Sequence, residues 1–166
     1  IPDKDELWIT NYDTIWCENR KKECTKPNLT FKNDLKEMTI VTSKNHRNQT
    51  LQKLIKKVNF KKVIEMGSIG CKIASILRGE SDIYICLSLP GESSPKDWDF
   101  AAPAAVLKAA GGAITNLNNE ELTYGNYNFE QGGIIVASGN KIRHKYICQE
   151  IKEIIIRYDL YPVNLN

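Results

Sequence analysis

The sequence predicts an α/β fold: a mixed sheet with helices on both faces, preceded by a short N-terminal β-hairpin. Three observations carry that expectation. From Met38 onward, β-branched runs alternate with helical stretches, the order that builds a sheet covered on both sides. The helical stretches place apolar residues on one face, as Leu51, Leu54, Ile55 and Val58 do at i, i+3, i+4 and i+7. The chain has 166 residues, 42% hydrophobic and 26% charged, the balance of a globular protein of one domain or a little more.

Taken in order, Leu7 to Thr10 and Thr14 to Cys17 read as two short strands around an Asn11-Tyr12-Asp13 reversal. Such a hairpin is marginal alone and needs a larger surface to join. Residues 20–33 are polar and aperiodic and read as a linker or surface loop. Met38 to Thr42 is a β-branched strand that feeds a polar loop ending at His46 and Arg47, and a helix opens at Asn48. Lys53, Lys56 and Lys57 occupy its other face, the pattern of a solvated helix surface.

Val63 to Met66 reads as a short buried strand. Gly67-Ser68-Ile69-Gly70 then turns into a helix with Ile69, Ile73, Ile76 and Leu77 on its apolar stripe, stopped at Arg78-Gly79-Glu80. Asp82 to Leu89 alternates as a strand, and Pro90 to Pro95 forms a loop. An alanine-rich helix follows Trp98-Asp99 and ends at Gly111-Gly112. Ala113 to Asn116 is a strand, with a possible return strand over Glu121 to Tyr124. Gly132 to Ser138 is a buried strand, and a last helix carries Ile147, Ile151, Ile154, Ile155 and Tyr158 on one face.

The composition excludes several classes of function. A formal charge of +3 favours small anions slightly and makes no case for nucleic acid, the more so because no aromatic residues interleave the lysines. No run of about 18 apolar residues exists and Ile1 to Asp5 has no signal-peptide character, so no membrane association and a cytoplasmic location are expected. The five cysteines are odd in number and form no Cys-x-x-Cys pair, so they read as small buried hydrophobes.

The chemistry-bearing residues lie in three loops, each after an expected strand: Ser43 to His46, Gly67 to Lys72, and Lys96 to Asp99. Ligands of open α/β sheets collect beyond the carboxyl ends of strands, so these loops suggest one pocket. A strand-turn-helix at residues 63–72 presents backbone N–H groups to an anion. Asp99 at the start of a helix has two readings, an N-cap or a metal ligand.

The string from Trp98 to Asn116, WDFAAPAAVLKAAGGAITN, resembles the C-terminal signature of the Mg-dependent, lithium-sensitive inositol monophosphatase superfamily. Within it the chain is most similar to the 3'(2'),5'-bisphosphate nucleotidases, over most of residues 38–137. These carry a Thr-x-Ser-His loop, a Gly-x-Gly-x-Lys turn and the Trp-Asp segment, in that order. By position Ser43 falls on the loop Thr, His46 on the His, Ser68 and Gly70 on the two glycines, and Lys72 on the Lys.

The resemblance implies that Ser43, His46, Ser68 and Lys72 hold the nucleotide and its uncleaved phosphate, and that Asp99 binds a catalytic Mg2+. It implies hydrolysis of adenosine 3',5'-bisphosphate to AMP, a step of sulfate assimilation. An inositol or sugar phosphate is the alternative substrate, and a non-catalytic nucleotide-phosphate-binding fragment the alternative role. The family's N-terminal Glu-containing helix and its Asp-Pro-Ile/Leu-Asp-Gly-Thr loop occur nowhere in these residues. Residues 1–37 are therefore expected to be the hairpin and linker that end a missing N-terminal domain. Residues 38–166 are expected to form the C-terminal α/β domain of the sugar-phosphatase-like fold, inactive without that N-terminal partner.

Overall fold

A computed structural model describes residues 1–11, 14–44 and 48–162. Three strands form the first sheet: β1 (Leu7–Asn11), β2 (Thr14–Glu18) and the two-residue β3 (Cys24–Thr25). β1 pairs antiparallel with β2, as the hairpin reading expects, and β2 with β3. Tyr12 and Asp13 of the expected reversal lie outside the described residues. The polar stretch expected to be only a linker thus adds a strand, because Cys24 and Thr25 find the open edge of β2.

The second sheet contains β4 (Thr39–Ser43), β5 (Lys62–Met66), β6 (Ile83–Ser88), β7 (Ala113–Asn116) and β8 (Gly133–Ser138), in the order β5-β4-β6-β8-β7. β5, β4 and β6 run parallel, and β8 runs against both β6 and β7. Four helices connect or flank them: α1 (Gln49–Val58), α2 (Ile69–Leu77), α3 (Asp97–Ala109) and α4 (Lys141–Arg157). The mixed sheet with helices on both faces is the predicted class.

Strand alternation assigns each side chain to a layer. Ile40, Ile83, Ile85 and Val136 pack with Leu51, Leu54, Ile147 and Ile151 of α1 and α4. Val41, Tyr84, Ile135 and Ala137, their strand neighbours, pack on the other face with Ile73, Ile76, Phe100 and Leu107 of α2 and α3. Each fully buried Ile, Leu or Phe contributes about 1.5–3 kcal/mol of transfer free energy. Trp8 and Ile15 join the α2–α3 layer, which is the surface the hairpin needs.

Two sequence expectations fail for identifiable reasons. β5 is an edge strand, with Val63 40% exposed, and not a buried one; among the described strands it pairs with β4 alone. Glu121 to Tyr124 does not form a return strand. Only Glu121 bridges Thr115, because Gln131 Nε2 takes the Thr123 carbonyl instead.

Asp82 ties the polar stretch to the sheet. Its carboxylate accepts from the Thr39 backbone N–H (2.6 Å), from Lys32 Nζ (2.9 Å) and from the Thr30 hydroxyl. The Gly-Gly after α3 divides its work. Gly111 takes the positive φ of 90° that ends the helix, while a Cβ on Gly112 would meet the Ser138 carbonyl oxygen at 2.7 Å.

Candidate functional site

The carboxyl ends of β4, β5 and β6 deliver the three expected loops to one cavity of about 590 Å³. Ser43, Ser68, Lys72 and Asp99 all line it. His46 lies outside the described residues. Asn48, just beyond it, caps α1 through Leu51 N–H (2.9 Å) and donates Nδ2 to the Leu87 carbonyl (3.2 Å). That bond pins the start of α1 to the end of β6, beside the cavity.

Lys72 occupies the second turn of α2, and the helix carries its side chain back toward its own N-terminus. Nζ donates to the Gly67 carbonyl at 3.1 Å and lies 5.4 Å from the centre of the Tyr84 ring. The residue is 3% exposed. None of the ion pairs among the described residues includes it. Burial holds its pKa below the usual lysine value, while Cys86, Cys71 and Asp99 pull weakly the other way. A buried ammonium at the positive end of a helix, without a carboxylate in ion-pair contact, is stabilised by an incoming anion.

Ser68 precedes α2 at φ 29°, a positive value that costs a serine about 1–3 kcal/mol and a glycine little. It makes no side-chain cap hydrogen bond, and its side chain lines the cavity. A glycine at this position would avoid that strain.

α3 begins at Asp97, earlier than the alanine-rich run suggests, so Asp99 is the third helical residue and not the N-cap. Its Oδ2 accepts the Lys96 backbone N–H at 2.9 Å, and its side chain is exposed at the cavity. The N-cap reading of Asp99 thus gives way to an N3 capping-box role: one oxygen secures the helix entry, and the other has no hydrogen-bond partner given among the described residues. Among the described residues no group of three or more His, Cys, Asp or Glu could hold a metal ion. A Mg2+ ion prefers near-octahedral oxygen coordination, and Asp99 fits it as one ligand only.

Asp97, two residues earlier, does different work. It is buried, accepts from Gly125 N–H (2.6 Å) and Gln131 Nε2 (2.5 Å), and anchors the segment that returns to β8.

Sequence reasoning missed the floor of the cavity. Tyr84 and Cys86 of β6 both face it, and Ser88 continues the same side. The signal was present as alternation at 84, 86 and 88 in a strand whose end meets the site. Burial pushes the Cys86 thiol and the Tyr84 hydroxyl above their ordinary pKa values, so both are neutral at pH 7. A neutral thiol is a poor nucleophile, which removes Cys86 as an attacking group.

Residues 9–155 match the model of the inositol monophosphatase family. The chain belongs to the inositol monophosphatase family. It is 29% identical over 116 residues to 3'(2'),5'-bisphosphate nucleotidase 1 of Mus musculus, covering 69% of this chain and 35% of that protein. It is 30% identical over 120 residues to the 3'(2'),5'-bisphosphate nucleotidase CysQ of Buchnera aphidicola, covering 72% of this chain and 42% of the other. Among solved structures, an IMPase of Thermotoga maritima superposes with a TM-score of 0.61 at 17% identity, over 86% of this chain and 53% of its own, a likeness of fold. The chain therefore spans less than half the length of these two curated family relatives. No helix among the described residues is long and apolar enough to cross a membrane.

Proposed function

We propose that this chain is the C-terminal part of a Mg2+-dependent 3'(2'),5'-bisphosphate nucleotidase that hydrolyses adenosine 3',5'-bisphosphate to AMP and phosphate, in the cytoplasm and in service of sulfate assimilation. One observation supports it most: Lys72 is buried in the same cavity as Asp99 and, among the described residues, pairs with no carboxylate. A substrate with two phosphates needs a cationic group for the phosphate that stays and a metal for the one that leaves. An inositol monophosphate has a single phosphate and leaves Lys72 without a task.

In this reading Lys72 and the first turn of α2 bind the spectator phosphate, with Ser43 and Ser68 donating hydroxyls and His46 adding a donor from the loop after β4. Asp99 supplies one oxygen ligand to Mg2+, whose chemistry when bound is activation of water and stabilisation of the leaving oxygen. The remaining ligands come from the N-terminal domain of the same protein, and the chain alone binds without turning over.

Calorimetry on the 166-residue chain tests the substrate reading. Adenosine 3',5'-bisphosphate is expected to bind more tightly than AMP or inositol 1-phosphate, and Lys72→Ala to remove the difference. Equal affinity for all three in the native sequence would refute it.

A further inference from the structure

We infer that Lys72 is also a covalent site: its amine forms an imine with small phosphorylated aldehydes that enter the cleft. The inference rests on the reading of this cavity as a phosphate site and adds a second class of ligand, open-chain aldose phosphates and their relatives, whose phosphate is held by the first turn of α2 and the Ser43 and Ser68 hydroxyls while Lys72, as the neutral amine, meets the carbonyl carbon; such ligands would block the site.

Four features of the cavity combine to support this. The Lys72 side chain lines a space of about 590 Å³, large enough for a molecule of three to six carbons, and its one recorded hydrogen-bond partner among the described residues is the Gly67 carbonyl. Imine formation needs a neutral amine, and burial at this site disfavours the ammonium form. Ser43, Ser68 and Ser88 line the same space and supply hydroxyl donors for a carbonyl oxygen or a phosphate. The other nucleophile on the floor, Cys86, is held as a thiol, so the amine has no competitor there.

The step balances without an oxidant or reductant. The ammonium first releases a proton to water at the open mouth of the cleft. The amine lone pair then attacks the aldehyde carbon, a C–N bond forms, and the carbonyl oxygen takes up a proton. The resulting carbinolamine loses that oxygen as water, leaving a C=N bond to Nζ. Aldehyde and amine give imine and water, and the phosphate is untouched.

The probes are glyceraldehyde 3-phosphate and unphosphorylated glyceraldehyde, each incubated with the 166-residue chain and trapped with borohydride. Peptide mapping by mass spectrometry compares Lys72 with the exposed Lys53, Lys56 and Lys57 of α1. Labelling of Lys72 by the phosphorylated aldehyde is expected to be about tenfold faster or more than at those controls, the gain that binding next to the amine provides. Glyceraldehyde is expected to show no such preference, and inorganic phosphate to slow the labelling.

Labelling of Lys72 at the rate of the surface lysines, or equally by both aldehydes, overturns the inference. If that happens while adenosine 3',5'-bisphosphate still binds through Lys72, the imine is wrong and the nucleotide reading stands. If Lys72 is labelled selectively and the nucleotide does not compete, the imine stands and the nucleotide reading falls.

Discussion

The two ends of α2 present two cations, one buried and one half-buried, with opposite histories. At its N-terminal end Lys72 is 3% exposed and meets only a carbonyl oxygen and an aromatic face. At its C-terminal end Arg78, with a side chain 15% exposed, donates to Glu6 and Glu80, each at 2.7 Å. Arg78 is paired by the fold, and through Glu6 it fastens the first sheet to α2. Lys72 waits for a partner that the described residues do not provide. What distinguishes the two is the counter-charge that the described residues supply, because both are largely taken out of water.

A third base, this one buried, sharpens the comparison and carries the largest expected effect. His144, 1% exposed, lies between Ser138 (Oγ to Nδ1, 2.8 Å) and Thr115 (Oγ1 to Nε2, 2.9 Å). The Thr115 hydroxyl donates to the Asn116 carbonyl, so it accepts from Nε2–H, and Nδ1 accepts from Ser138. The ring is therefore satisfied as a neutral base, and burial lowers its pKa from 6.5 to about 4. The unfolded chain takes up this proton at a higher pH than the folded one. Stability is thus fully present above about pH 6.5, falls as the pH drops toward 4, and the loss reaches about 3 kcal/mol. Urea unfolding at a series of pH values checks this, and His144→Gln is expected to flatten the slope over that window.

Next in size is Lys72→Met. Loss of a charge-assisted contact is expected to weaken binding of adenosine 3',5'-bisphosphate by about 10- to 100-fold. The same change is expected to raise stability by about 1 kcal/mol, since it replaces an unpaired buried ammonium with an apolar group. A loss of stability would show that the fold needs the charge and would erase the contrast with Arg78.

Arg78→Met is expected to do the reverse. It leaves Glu6, itself largely buried, without its partner and should cost about 1–2 kcal/mol, discounted for solvent screening at this partly exposed pair. Nucleotide affinity is expected to stay within about twofold, because the residue touches the cavity nowhere. Thermal unfolding and calorimetry on the same sample read both quantities.

The smallest effect belongs to Ser68→Gly. Removing the positive-φ strain is expected to raise stability by up to about 1 kcal/mol, the gain being offset in part by the freedom glycine adds to the unfolded chain. Loss of the hydroxyl should lower phosphate affinity a few-fold. A melting temperature that falls would show that the serine stabilises its turn through contacts that outweigh the strain.

Much of this molecule was legible before folding. The strands at 39–43, 83–88 and 133–138 and the helices at 49–58 and 69–77 follow from periodicity, and three of the four candidate ligand-binding residues do line one cavity together with Asp99. What was not legible involves partners distant in sequence. Val63 to Met66 has the composition of a buried strand, yet among the described strands it lies at the edge of the sheet. Asp97 and Asp99 differ by two positions in one acidic turn, and only the approach of Gln131, far along the chain, separates an anchor from a cavity carboxylate.

The sequence by itself determined the alternation of elements and the class of sheet, because side-chain period and local turn chemistry are properties of neighbours along the chain; the family was legible only through the resemblance carried by Trp98 to Asn116. Tertiary structure alone decided that Lys72 is buried without a counter-charge among the described residues, that Arg78 has two, and that Tyr84 and Cys86 floor the cleft. The reason is physical: the energy of a charge depends on what replaces its water, and those groups arrive from strands and helices that only folding brings together.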